Sequence, residues 1–149
     1  MSRRRLAPSV SRWALLAALS FAGAAFAQTP EPDPRTKLIT AITQLGEARQ
    51  VFSECSIPDA ELPGLVAAYN VLLRFTALLD SKTTTLNLSR ANIDSAFHDG
   101  MVQGAAKGAP SAAGCAQMRA RLPGFNQTAL GLSQMLEGLI TTISQSSHR

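Results

Sequence analysis

Apolar residues recur along this chain at steps of three and four, the period of a helix lying against a core. Leu38, Ile42, Leu45, Ala48, Phe52 and Cys55 share one helical face, with Thr43, Glu47, Gln50 and Glu54 on the other. This spacing predicts a helix over 38–55, and Ser56-Ile57-Pro58-Asp59 interrupts it. Leu65, Ala68, Leu72, Phe75 and Leu79 repeat the rhythm, and Val66, Tyr69, Val71, Leu73 and Leu78 widen it over most of a helix at 59–80. A helix that is apolar nearly all round belongs inside a bundle. A Thr-rich stretch follows, and Ser89 is placed to cap a helix over 90–108.

Ala109-Pro110-Ser111 ends that helix, a short helix over 113–121 carries Cys115 and Met118, and Pro123 separates it from another over 124–146. In that last helix Phe125, Ala129, Leu132, Leu136, Leu139 and Ile143 form a bundle-type seam. No segment alternates apolar and polar residues as a half-buried strand would. The expected fold is all-α: a compact bundle of four to five helices, antiparallel in neighbours.

Gly100, Gly104 and Gly108 fall at steps of four in the helix over 90–108. A glycine inside a helix costs about 1 kcal/mol relative to alanine, so something must offset the three. Close approach of another helix backbone and close approach of a ligand are the two candidates. Tyr69, the only tyrosine, reads as a half-buried aromatic whose hydroxyl reaches water. Alternatively it lines a small pocket with Phe97 and the glycine face. Tyr69, Phe97, Gly100 and Gly104 are therefore the candidate pocket or interface.

Cys55, six residues and Leu62-Pro63-Gly64 are echoed 60 positions later by Cys115, six residues and Leu122-Pro123-Gly124. Between 55–79 and 115–139, 7 of 25 positions are identical, which fits either a duplication or coincidence in a Leu- and Ala-rich chain. A duplication would pack two halves about a pseudo-two-fold axis, with the cysteines at equivalent points.

The opening residues follow a different logic. Arg3, Arg4, Arg5 and Arg12 precede the uncharged run from Trp13 to Phe26, which ends in Ala25-Phe26-Ala27. A basic start, a short apolar run and a small-x-small end make a secretory signal over 1–27. The run is 14 residues long, and a helix needs about 20 to cross a bilayer. The arginine cluster also fits a twin-arginine export pattern loosely, although Ala7 to Ser11 separate it from the apolar run. Pro30, Pro32 and Pro34 then mark an extended spacer over 28–36, leaving 37–147 as the helical domain.

Cleavage there changes the charge picture. Four of the 14 basic residues leave with the signal, so ten basic residues face ten acidic ones and the formal net charge falls from +4 to zero. Neither nucleic acid nor an anionic membrane is then an expected partner, and no stable membrane anchor remains after cleavage. In a periplasmic or secreted setting, pairing of Cys55 with Cys115 is the default over two free thiols. No Cys-x-x-Cys redox pair occurs.

Candidate chemistry is sparse. His98 stands one helical turn after Asp94, a general-base arrangement in outline, but Arg90, Asp94 and His98 also describe an ordinary row of surface ion pairs. His98 and Met101 could join Met118 or Met135 in a soft metal site, although methionines at helical spacing are more often core filler. Asn87-Leu88-Ser89 and Asn126-Gln127-Thr128 match the glycosylation triplet, which arises easily by chance. No catalytic residue, metal site or cofactor is expected.

In compartment, helix content and a single long-range disulfide, the plan resembles the small helical acid-stress chaperones of the bacterial periplasm. No motif matches residue by residue, and the charge-rich tails expected there are absent. The expectation is an exported, non-enzymatic protein that acts through an unidentified protein partner or in envelope stress protection. A small-ligand carrier with a pocket between the second, third and last helices is the alternative, and a hydrolase a distant third. If the cysteines pair, they close a loop of 61 residues, and chain-entropy reasoning values it at about 4 kcal/mol. Cys55→Ala and Cys115→Ala should then lower stability by similar amounts in urea unfolding, because either removes the same link. Clearly unequal losses would contradict a shared bridge.

Overall fold

The structure is a computed structural model and describes residues 30–81 and 86–146. The signal over 1–27 lies outside the described residues. Among the described residues there are four α-helices, α1 (Pro34–Glu54), α2 (Pro63–Ser81), α3 (Arg90–Ala106) and α4 (Ala112–Ser146), with a 3-10 turn at Asp59–Glu61 before α2. No strand occurs among the described residues. The expected all-α bundle is thus the observed architecture. Cys55 and Cys115 are bonded, with their Cα atoms 5.4 Å apart.

Local chemistry sets the helix ends. α1 starts at Pro34, inside the expected spacer, because Asp33 caps it. The Asp33 carboxylate accepts from the Thr36 N–H at 3.1 Å, and Pro34 supplies a preset φ in the first turn. That bonding, with the Thr36 hydroxyl first in importance, holds the Asp33 carboxyl below its ordinary value. α1 closes with Ser56 in the left-handed region (φ 52°), while Ile57 N–H reaches the Phe52 carbonyl at 3.0 Å. Ser89 caps α3 as expected. Its Oγ accepts from Asn92 N–H, and the Asn92 side chain accepts from Ser89 N–H at 3.0 Å. α3 ends two residues early, as Lys107 leads into Gly108 at φ +78°.

The expected helices over 113–121 and 124–146 are one. α4 runs for 35 residues straight through Pro123. Proline inside a helix forfeits one backbone hydrogen bond and costs about 3 kcal/mol or more. Against that, Met118, Leu122, Phe125, Ala129, Leu132 and Leu136 all pack in or against the core on both sides of the proline. Their steps of four and three run through Pro123 without a break, so a continuous helix keeps every apolar residue facing inward.

The closest helix contacts join α1 to α3 and α2 to α4, not sequence neighbours. Within each pair the helices run parallel. Gly46 meets Phe97 and Met101, Gly100 meets Thr43 and Glu47, and Gly104 meets Glu47 and Gln50. On the other pair, Gly64 lies against Asn126, and Arg74 binds Glu137 at 3.2 Å through its second nitrogen. Between the pairs the direction reverses. Asp80 and Arg90 join the end of α2 to the start of α3, whereas Tyr69 contacts Phe97. The expectation of antiparallel neighbours therefore holds for each pair of helices consecutive in sequence, while the tightest pairs are parallel.

The sequence echo takes two different structures. Pro63 opens α2 whereas Pro123 is interior, and Gly64 is pressed on the Asn126 backbone whereas nothing lies within 4 Å of a Cβ built on Gly124. The Pro-Gly segments thus differ locally, while pairing of α1 with α3 and α2 with α4, with Cys55 bonded to Cys115, is the arrangement that a two-fold axis along the bundle would give.

Asn126 supplies the cap that α2 lacks locally. Its Oδ1 accepts from Gly64 N–H at 3.0 Å, and its Nδ2 donates to the Glu61 carbonyl at 3.0 Å. A cap delivered from α4 ties the start of α2 to its partner helix.

The glycine contacts make a paired prediction. A Cβ on Gly46 would lie 2.1 Å from the Phe97 carbonyl oxygen, and one on Gly100 would lie 1.9 Å from that of Thr43. Backbone cannot step aside as a side-chain tip can, so Gly46→Ala and Gly100→Ala should each destabilise by about 3 kcal/mol or more. Gly131 and Gly138 have nothing within 4 Å, so Gly131→Ala and Gly138→Ala should each stabilise by up to about 1 kcal/mol. Urea unfolding of the four variants checks this, and a uniform sign across them would contradict the packing.

Candidate functional site

The four residues expected to form a pocket or interface separate into two environments. Gly100 and Gly104 are buried against α1, at the closed contact described above. Of the two ways to offset the cost of these glycines, helix approach is the one taken. Gly108 ends α3 instead, with nothing near a built Cβ. Tyr69 and Phe97 do meet, with ring centroids 5.5 Å apart and planes tilted by 44°. Tyr69 is 42% exposed, as a half-buried aromatic with its hydroxyl toward water should be.

This ring pair lies in an open pocket of about 350 Å³ between α2 and α3. Its walls are Leu65, Val66, Tyr69 and Asn70 from α2 with Phe97 and Met101 from α3, and Arg49 and Asp59 stand at its edge. The fold explains the opening. Gly46 and Gly100 draw α3 toward α1, Gly64 draws α2 toward α4, and α2 and α3 are left with few close contacts. Side chains rather than backbone span that gap. The pocket lies beside α2 and α3, without the last helix that the carrier expectation included.

Apolar surface continues beyond it. Leu73 is one turn past Tyr69 on α2 and is 50% exposed. Val66, Tyr69 and Leu73 step by three and four, so they form a stripe along the α3-facing edge of α2. This pocket is the furrow between α2 and α3, and Arg49 binds Asp59 beside it. Where α2 ends and α3 begins, Arg90 binds Asp80 at 2.9 Å and Asp94 at 3.3 Å. Asp80 first, then Asp94, raise the Arg90 guanidinium above its ordinary value.

The outlined chemistry does not assemble. Asp94 gives its carboxylate to Arg90, and His98 sits exposed on α3. Met101 lines the furrow, Met118 is buried with its sulfur 3.8 Å from Cys55 Sγ, and Met135 is 43% exposed on α4. Among the described residues, no group of three or more His, Cys, Asp or Glu could hold a metal ion. None of the described helices is long and apolar enough to cross a membrane. Asn126, from one of the glycosylation triplets, is committed to capping α2.

Two features escaped the sequence pattern. Leu73 widens the apolar stripe of α2 in the sequence, yet it is half exposed to water. Glu54 Oε2 is buried with no hydrogen-bond partner, while Gln50 donates to Oε1 at 3.0 Å. Nothing in the sequence distinguishes Glu54 from Glu47, the other acid of α1, which pairs with Lys107. Compared with known proteins, the chain matches no protein-family model, no curated protein and no solved structure.

If Tyr69 belongs to a binding surface rather than the core, its removal should be mild. Tyr69→Ala is expected to cost about 1 kcal/mol, the scale of one aromatic pair with partial burial. Phe75→Ala, at a fully buried position, should cost about 3–5 kcal/mol. Thermal unfolding of both variants separates the cases, and equal losses would return Tyr69 to the core.

Proposed function

We propose that this is an exported, non-catalytic protein that acts by binding another protein along the furrow between α2 and α3. One observation carries the reading: Tyr69 and Leu73 remain 42% and 50% exposed on the most apolar helix, beside an open pocket walled by Phe97 and Met101. Contiguous apolar surface left in water forgoes about 25 cal/mol for each Å² that a partner could cover. Export is supported by the basic-apolar-small pattern over 1–27 and by the Cys55–Cys115 bond, which persists in oxidising compartments. An interaction or stress-protection role in the cell envelope fits both. Support for a small-ligand carrier is thinner, because the glycine face that would have walled its cavity packs on α1.

In-cell photo-crosslinking tests the reading. A crosslinking amino acid is placed at Tyr69 and, as a control, at exposed Gln127 on α4. A discrete adduct at 69 and none at 127 is the expected result. No adduct at either position, or equal adducts at both, would count against a binding furrow. Export is checked on the same cells by fractionation with thiol alkylation. The protein should be found outside the cytoplasm, shortened and with no free thiol, and a full-length, reduced cytoplasmic form would refute it.

A further inference from the structure

We infer that Cys55, Cys115 and Met118, once the disulfide is reduced, form a three-sulfur site for monovalent copper. The inference is independent of the furrow. Spacing on α4 comes first. Cys115 and Met118 stand three residues apart, which sets their side chains side by side on one helix face. Cys55, at the end of α1, completes the group: its bond to Cys115 holds it there, and the Met118 Sδ lies 3.8 Å from its Sγ. Two sulfurs bound to one metal at about 2.3 Å each stand about 3.8–4.0 Å apart. The Met118 thioether therefore already keeps the separation that a shared ion requires. With their Cα atoms 5.4 Å apart, the two cysteine sulfurs reach a similar separation by turning about their own Cα–Cβ bonds.

The donor set selects the ion. Thiolates and thioethers are soft ligands that suit monovalent copper, whereas a structural zinc takes four ligands. Among the described residues, no group of three or more His, Cys, Asp or Glu supplies the harder donors that other metals favour. The surroundings agree. Cys55 and Met118 are each 8% exposed, and Phe52, one turn before Cys55, meets Phe125 with ring centroids 4.7 Å apart. Such an apolar shell limits the access of water to a metal. Cys115 is only partly buried, which leaves the disulfide within reach of a reductant. A dithiol gives two electrons and two protons to the S–S bond, becomes a disulfide itself and leaves Cys55 and Cys115 as thiols. Copper(I) then displaces both thiol protons to water, two Cu–S bonds form, and Met118 donates a sulfur lone pair. The copper keeps its oxidation state throughout.

Copper(I) is titrated without oxygen into the purified protein in competition with bicinchoninate, whose coloured copper complex reports what the protein withdraws. The protein is used as the disulfide and after reduction by a phosphine that is then removed. Reduced protein should withdraw one copper per chain, and the disulfide form should withdraw none. Met118→Leu fills a similar volume without the sulfur. It should shift the melting curve of the disulfide form little and weaken copper binding by about tenfold or more. Reduced protein that withdraws no copper would overturn the site, and so would equal uptake by the disulfide form. An affinity that Met118→Leu leaves unchanged would overturn the three-sulfur assignment. Circular dichroism is followed throughout, and copper uptake only after loss of the helices would overturn a site held ready by the bundle. None of these outcomes touches the crosslinking test at Tyr69.

Discussion

The arrangement depends on two helix backbones touching where a glycine of one lies against the backbone of the other. At Gly46 and Gly100, α1 and α3 approach until a single added Cβ would overlap a carbonyl oxygen of the other helix. Each glycine is a poor helix residue by about 1 kcal/mol, and the contact recovers that through close packing along both helices. Because α1 and α3 are separated by a whole helix in sequence, this contact places α2 outside the pair, where Gly64 and Asn126 join it to α4. Parallel pairing within layers and reversed direction between them follow from these contacts. The furrow is their by-product. With α3 drawn one way and α2 the other, side chains alone span the gap between them.

Covalent and polar links gather at one end of the bundle. Cys55 bonds to Cys115, Arg119 binds Glu61 at 2.8 Å, and Asn126 caps α2. The end of α1, the start of α2 and the first half of α4 are fastened together there. The opposite end of α2 is held to α3 by Asp80 and Arg90, both about half exposed, and pairs of that kind contribute little. The fastened end sets the angle of α2, and the pocket walled by Leu65, Val66 and Tyr69 lies next to it.

Most of the fold was legible because it is periodic. The seams of α1, α2 and α4, the Ser89 cap and the cysteine pair all depend on local spacing or compartment chemistry. Pro123 misled because a general rule about proline outweighed a specific pattern: the steps from Met118 to Leu136 pass through it unbroken, and burial of that face kept the helix whole. Parallel pairing was not legible, since helical periodicity says which face is apolar and not which helix covers it. The glycines of α3 signalled a close approach, and only three dimensions decide between backbone and ligand. Asn126 could not be read as a cap from 62 residues away. Of the expected site, Tyr69 and Phe97 came together because both flank the gap, and Leu73 was hidden by being apolar on an apolar helix.

The closed glycine contact is open to direct measurement by NMR on the oxidised protein. The account predicts strong nuclear Overhauser contacts from the Gly100 Hα protons to Thr43 and Glu47, and from the Gly46 Hα protons to Phe97 and Met101. If those protons instead show contacts only within their own helices, α1 and α3 do not touch there, and the pairing, the furrow and its proposed role lose their foundation.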